Sequence, residues 1–249
     1  MGEYLKKFNS HSEYETFKQS QQYIEPNVSV CVTENDIHYN PIAAVVHEYV
    51  DLGLPSGTLW ATENIKDSNG NQLYFAWGET QGYTSEQVGT DKYFNWNIWS
   101  DYPVDYAFGA YDYDDETNYG MTKYNKIDNK TVLDATDDAA TVNWGPDWVM
   151  PTKEQFDELV ANTTTACTEE PPYGIVFTSV INNNTLFLPF NGSAKEGYAY
   201  GEETEGTYWS RSRYVPACPV SYEMSLESSG PMVSNDDRCR GCTIRPVHV

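Results

Sequence analysis

The chain has 249 residues and sets 37 Asp and Glu against 15 Lys and Arg, a formal net charge of −22. That length can bury a sizeable core without a metal or disulfide framework, and the charge repels phosphate backbones and anionic membranes, which excludes nucleic acid as a partner. Five cysteines, Cys31, Cys167, Cys218, Cys239 and Cys242, are odd in number and unevenly spaced, which argues against a secreted disulfide scaffold.

Taken from the start, MGEYLKKFNSHSEYETFKQ lacks the apolar core of a signal peptide, and no apolar run along the chain approaches the roughly 20 residues of a membrane-spanning helix. No export address and no membrane insertion are therefore expected. Ser12 followed by Glu15 forms a capping box that predicts a short helix before Pro26. VSVCVTENDIHYN then alternates apolar and polar residues about Glu34, Asn35 and Asp36, which predicts a hairpin. Residues 1–46 have too little apolar surface to stand alone. They read either as an attachment segment or as a decorated start of the main domain, residues 47–249.

From Tyr49 the predicted strands are YVDLGL, TLWAT, QLYFAWG, GIVFTSVI, TLFLPF, GTYWS, SYEMSLES and CTIRPV, separated by turn-rich loops. Asn182 to Asn184, in INNNTL, predict a tight hairpin. Two helices interrupt the strands. DATDDAATVNW has Asp137 and Asp138 as capping acids, and PTKEQFDELVANT opens on a capping box of Thr152 and Gln155, with Phe156, Leu159 and Val160 on one face. The inventory predicts an α+β fold with small antiparallel sheets, two helices and long irregular loops. Thr80 to Lys130 shows little apolar periodicity yet is too aromatic for a disordered linker, so an ordered irregular lobe is expected there. Pro55, Gly57, Gly145 and Pro146 supply turn chemistry, and Trp60, Trp77, Trp144, Trp148 and Trp209 read as buried anchors.

VDLGLPSGTLWATENI, YFAWGET, TKYN, DDAATVNWGPDWVMPTKEQFDEL, YWSRS and GCTIRPV, in this order between about Val50 and Val247, resemble the Fibrobacter succinogenes major paralogous domain, over roughly four fifths of the chain. The resemblance implies a C-type lectin-like fold, in the branch shared with formylglycine-generating enzymes and with the variable proteins of diversity-generating retroelements. Val149 departs from it, since the family usually has a basic residue before MPT, and a salt bridge there is put in doubt. The first 42 residues resemble N-terminal segments of tail-associated proteins from phages and prophages of gut Bacteroidetes, which implies a virion component made in the cytoplasm and acting at an extracellular surface. Phage tips are often trimers, so a homo-oligomer is one expectation.

Metal and catalytic motifs weigh less. Cys239 and Cys242 form a C-x-x-C without a second pair, and His11, His38, His47 and His248 offer no ligand spacing, so the pair reads as structural. Glu25 to Asn27 spell a lectin sugar-binding tripeptide by chance, outside the domain and without its partner motif. The run Asp112, Asp114, Asp115 and Glu116 has the oxygen ligands calcium prefers, but a solvated acidic face is the simpler reading. No other cofactor is expected. The oxidase relatives use a reactive cysteine pair whose spacing Cys218, Cys239 and Cys242 do not match, although Arg238 and Arg240 would give those thiols a cationic setting. No Ser-His-Asp order, phosphate loop or H-E-x-x-H appears, and the chain is not expected to be an enzyme.

All five arginines, Arg211, Arg213, Arg238, Arg240 and Arg245, fall in the last 39 residues. The strand pattern leaves Arg211–Val220 and Ser228–Arg240 as loops or exposed strand ends, and in the variable relatives this region, here about 207–247, is the ligand face. If the adenines of an AAC or AAT codon are randomised, the products include Asn, Asp, Ser, Tyr, Arg, Cys, Pro, Ala and Val but never Lys, Glu, Gln, Met or Trp. Every residue from Arg211 to Ser221 lies in the reachable set, whereas Trp209 and Met224 lie outside it and read as fixed scaffold. Arg and Tyr also dominate binding hot spots. The expected ligand-binding residues are Arg211, Arg213, Tyr214, Val215, Pro216, Cys218, Tyr222, Asn235, Asp236, Arg238 and Arg240, with Arg245 held back as a structural residue pairing with buried acids. The function expected is recognition of a cell-surface protein or glycan by a retroelement-diversified tail protein. A bacterial surface adhesin or glycan-binding module is the alternative, and a formylglycine-generating-type oxidase comes third.

Overall fold

The computed structural model describes residues 47–88, 123–195, 197–215 and 219–249, together with the backbone of three strands ahead of them. Those three are β1 (Tyr4–Phe8), β2 (Val28–Val32) and β3 (Ile37–Tyr39). β2 and β3 pair antiparallel, Val30 opposite Tyr39, which is the expected hairpin; β1 adds to β2 in parallel, a pairing that needs a crossover connection. The capping-box helix at Ser12, the hairpin tip at Glu34–Asp36, the acid-rich run Asp112–Glu116, most of the aromatic lobe, and Pro216 and Cys218 lie outside the described residues.

The rest is mixed α and β, with small sheets and few helices. A four-stranded sheet orders β4 (Tyr49–Asp51), β5 (Leu59–Ala61), β15 (Val247–His248) and β6 (Trp148–Val149), so the end of the chain lies between its two neighbours. β7 (Thr163–Cys167), β8 (Gly174–Ser179) and β9 (Thr185–Pro189) form a meander, with the predicted Asn182–Asn184 turn between the last two. The largest sheet runs β11 (Tyr198–Glu202), β10 (Asn191–Lys195), β12 (Gly206–Arg213), β13 (Val220–Glu227), β14 (Gly230–Asp237).

Helix α1 (Ser85–Val88) is a single turn. In α2 (Ala139–Trp144), Asp138 is the N-cap, its side chain accepting from Ala140 N and Thr141 N; Asp137 does not cap but accepts from Tyr124 Oη at 2.6 Å and Lys123 Nζ at 2.9 Å. α3 (Lys153–Ala161) carries the predicted capping box of Thr152 and Gln155. Its Phe156 and Leu159 enter a core with Trp60, Ile175, Phe177, Tyr208, Met224, Leu226 and Val247. A second core gathers Tyr74, Phe75, Trp77, Tyr124, Trp144, Trp148 and Trp209. All five anchor tryptophans are buried.

At three places the structure departs from the expectations or decides between them. QLYFAWG makes only isolated bridges, Gln72 to Lys66, Tyr74 to Tyr83 and Phe75 to Cys242, and Leu73 to Gly78 are buried. The stretch after Glu227, expected as loop or exposed strand end, holds the eight-residue strand β14, paired with β13 along its whole length. Arg211 to Arg213, expected as loop or strand end, form the end of β12.

Candidate functional site

The end of β12 departs from regular pairing. Trp209 faces Glu223 and Arg213 faces Ser221, so Ser210, Arg211 and Ser212 stand opposite the single residue Tyr222. A bulge of this kind bends a strand and re-aims its side chains. The displaced backbone finds other partners: Arg211 N donates to Pro151 O at 2.8 Å, Leu133 N donates to Arg211 O, and Arg213 N donates to Thr131 O. Lys153 N donates to Ser212 Oγ at 3.1 Å. Residues 131–133 therefore lie beside 211–213, and the start of α3 lies against the bulge.

The loop before this contact is organised by its own side chains. Asp128 accepts from the backbone N–H groups of Tyr124, Asn125 and Lys130, and Asn125 Oδ1 accepts from those of Ile127 and Asp128. What remains is a set of buried carbonyl oxygens, and the arginines satisfy them. Arg213, 5% exposed, donates to Asn125 O at 2.6 Å. Arg238, fully buried, donates to Tyr124 O at 2.9 Å and to Ser221 Oγ at 3.1 Å, with its guanidinium 4.5 Å from the centre of the Trp77 ring. Arg211 donates to Leu133 O at 2.7 Å and lies 3.5 Å from Asp138.

The expectation that Arg213 and Arg238 face a ligand is thus corrected: both are enclosed and spend their donors on the loop. Arg211 is half-enclosed. Arg245 is structural as expected, but its partners are Asn64 Oδ1 and Ala61 O rather than acids. Arg240 pairs with Asp236, donates to Ser193 Oγ at 2.8 Å and lies over the Tyr200 ring. Asp236 alternates with Asn235 along β14, so Arg240 and Asp236 occupy the opposite side of the sheet from Tyr222.

The residues left on one outer face are Tyr214, Val215, Tyr222 and Asn235. Tyr214, 39% exposed, meets Tyr222 edge-on with ring centres 5.1 Å apart, and Asn235 is the cross-strand partner of Tyr222. Lys153 Nζ lies 5.7 Å from the centre of the Tyr222 ring. The neighbouring loop exposes two aliphatic residues that sequence reasoning missed: Val132, bridged through its backbone to Ser212, and, farther along the loop, Ile127, 76% exposed. Nothing in TKYNKIDNKTVLD marks them, since two apolar residues among Lys, Asn and Asp read as an ordinary solvated loop.

The cysteines at the far side differ from a reactive pair. Cys239 and Cys242 are not disulfide-bonded; burial pushes the Cys239 thiol up to about 12 and the Cys242 thiol well above its ordinary value. Arg238 points to Trp77 and Tyr124 rather than toward them.

Compared with family models, curated proteins and solved structures, the chain matches none.

Proposed function

We propose that this chain is a non-catalytic recognition protein with a C-type lectin-like domain, borne on a phage or prophage tail through its N-terminal segment. The observation that carries the reading is a face of exposed and half-buried aromatic and aliphatic side chains on a braced backbone. Tyr214 and Val215 stand at the end of β12, Tyr222 on β13 and Val132 on the neighbouring loop, and backbone bonds together with Arg211 and Arg213 hold that loop to β12. Rigid aromatic residues on a fixed frame bind at low entropic cost. The motif order from Val50 to Val247 supports the lectin-like fold, as do the several small sheets, mostly antiparallel, and the few helices. The raised thiols of Cys239 and Cys242 favour binding over thiol oxidation, because thiolate is the reactive form.

Diversification by a retroelement fits this face more narrowly than the whole run from Arg211 to Ser221. Ser212, Arg213 and Ser221 are buried and hydrogen-bonded, so variation is confined to outward positions such as Tyr214, Val215, Tyr222 and Asn235. Binding of the labelled protein to intact cells of a panel of gut Bacteroidetes, read by flow cytometry, tests the proposal. Combined Tyr214→Ala and Tyr222→Ala should weaken adsorption about 30-fold or more while the melting temperature stays within a few degrees. Equal adsorption by the variant and the parent would remove this face from recognition.

A further inference from the structure

Glu223 lies midway along β13, opposite Ser234 of β14, with its side chain on the side of the sheet away from Tyr222. It is 4% exposed. Oε1 accepts from Ser234 Oγ at 3.0 Å, and Oε2 is buried with no hydrogen-bond partner among the described residues. Four ionisable groups act on it or it on them: Asp236 of β14, Glu205 ahead of β12, Arg240 beyond β14 and the thiol of Cys242. Arg240 is committed to Asp236 and Ser193 Oγ. A carboxylate enclosed with one hydroxyl donor and a second carboxylate nearby is disfavoured in its charged form, whereas a neutral carboxyl needs far less solvation. Burial first, and then Asp236, pushes Glu223 up to about 7, against the pull of Arg240 and Ser234.

One side of this group's strand pairing is an edge of the sheet. β14 is the outer strand of its sheet, and none of its residues is fully buried. Parting it from β13 would bring the Glu223 carboxylate to water and would break the ladder, the packing of Val233 on the core and the pairing of Asp237 with Lys195.

We propose that Glu223 is a proton-controlled latch on the β13–β14 hairpin, closed when the carboxyl holds its proton and loosened when the proton leaves. Its folded-state affinity for the proton exceeds that of the unfolded chain, so closure is strongest at low pH and declines as pH rises through the interval from about 4.5 to about 7. Tyr222 and Asn235 ride on the two strands, so the latch acts on that face whether or not the face binds a receptor.

Amide exchange of β14, corrected for its intrinsic pH dependence, reads the opening constant directly. Between pH 5.5 and pH 8 the constant should rise about tenfold or more in the parent and less than about threefold in Glu223→Gln. An equal rise in both proteins, or no rise in the parent, overturns the latch. If the variant does not fold, carbon-13 titration of the parent's carboxyl groups decides: a Glu223 midpoint near 7 supports the latch, and one near the ordinary glutamate value overturns it.

Discussion

Arg213 and Tyr214 are adjacent, yet they do opposite things. The Arg213 guanidinium caps a carbonyl of the 123–130 loop, while the Tyr214 ring leans outward on Tyr222. Arg213→Ala should therefore destabilise the protein by about 1.5–3 kcal/mol, because it removes a charged donor from the buried Asn125 carbonyl, leaving that oxygen the Asn129 N–H at 3.2 Å, and takes the cation away from Asp128. Tyr214→Ala should cost less than about 1 kcal/mol, being partly solvated already. Urea denaturation of the two variants distinguishes them, and equal losses would contradict the division. The clustering of arginines near the end of the chain was a true signal with two readings. A guanidinium presents the same donors to a backbone carbonyl as to a ligand, and an acidic composition favours the outward reading. What turned Arg211, Arg213 and Arg238 inward is the loop of residues 123–134, whose buried carbonyls leave no trace in residue types.

At the level of elements, legibility followed local chemistry. The capping box of α3 was readable because Thr152 and Gln155 bond within four residues of one another. β14 was not readable, since GPMVSNDD has turn composition and becomes a strand only because β13 offers it a full ladder. The bulge in β12 was hidden for the same reason, as its cause is the pull of residues 131–133 and 151–153. The two N-caps show how such nonlocal duties raise an energetic role. Thr152 serves its own helix and helps hold Gln155, whereas fully buried Asp138 caps α2, accepts from Met150 N and lies beside Arg211. Thr152→Ala should cost about 1 kcal/mol, the ordinary value of a cap. Asp138→Ala should cost about 3 kcal/mol or more, since it leaves several buried donors unpaired at once. Thermal unfolding of the two variants would expose an error if Asp138→Ala proved no worse than Thr152→Ala.

Across the whole molecule, the two cores depend on closure between distant parts of the sequence. His47 stacks on Trp144 at 3.6 Å between ring centres, and His248 meets Trp148 edge-on at 5.0 Å. The ladder through β15 joins Trp60 to Val247 and Val247 to Val149, where the expected basic residue is replaced by one that packs. The motif GCTIRPV carried the pairing partners but not their order, which arises only when residues 49–61, 148–149 and 247–248 come together. A deletion of Val247 to Val249 removes one fully buried valine, an edge-on ring contact, the ladders to both neighbours and the bond from Val249 N to Asp147 O. Those losses add to roughly 5 kcal/mol, and for a domain of this size they should lower the melting temperature by about 10 °C or more. The remaining strands β5 and β6 would then present free edges beside Trp60 and Trp148, so the truncated protein should also aggregate on heating. Calorimetry of the parent and the truncated form measures both effects. A truncated protein that melts within a few degrees of the parent, reversibly, would mean that β15 rests on a sheet able to stand without it.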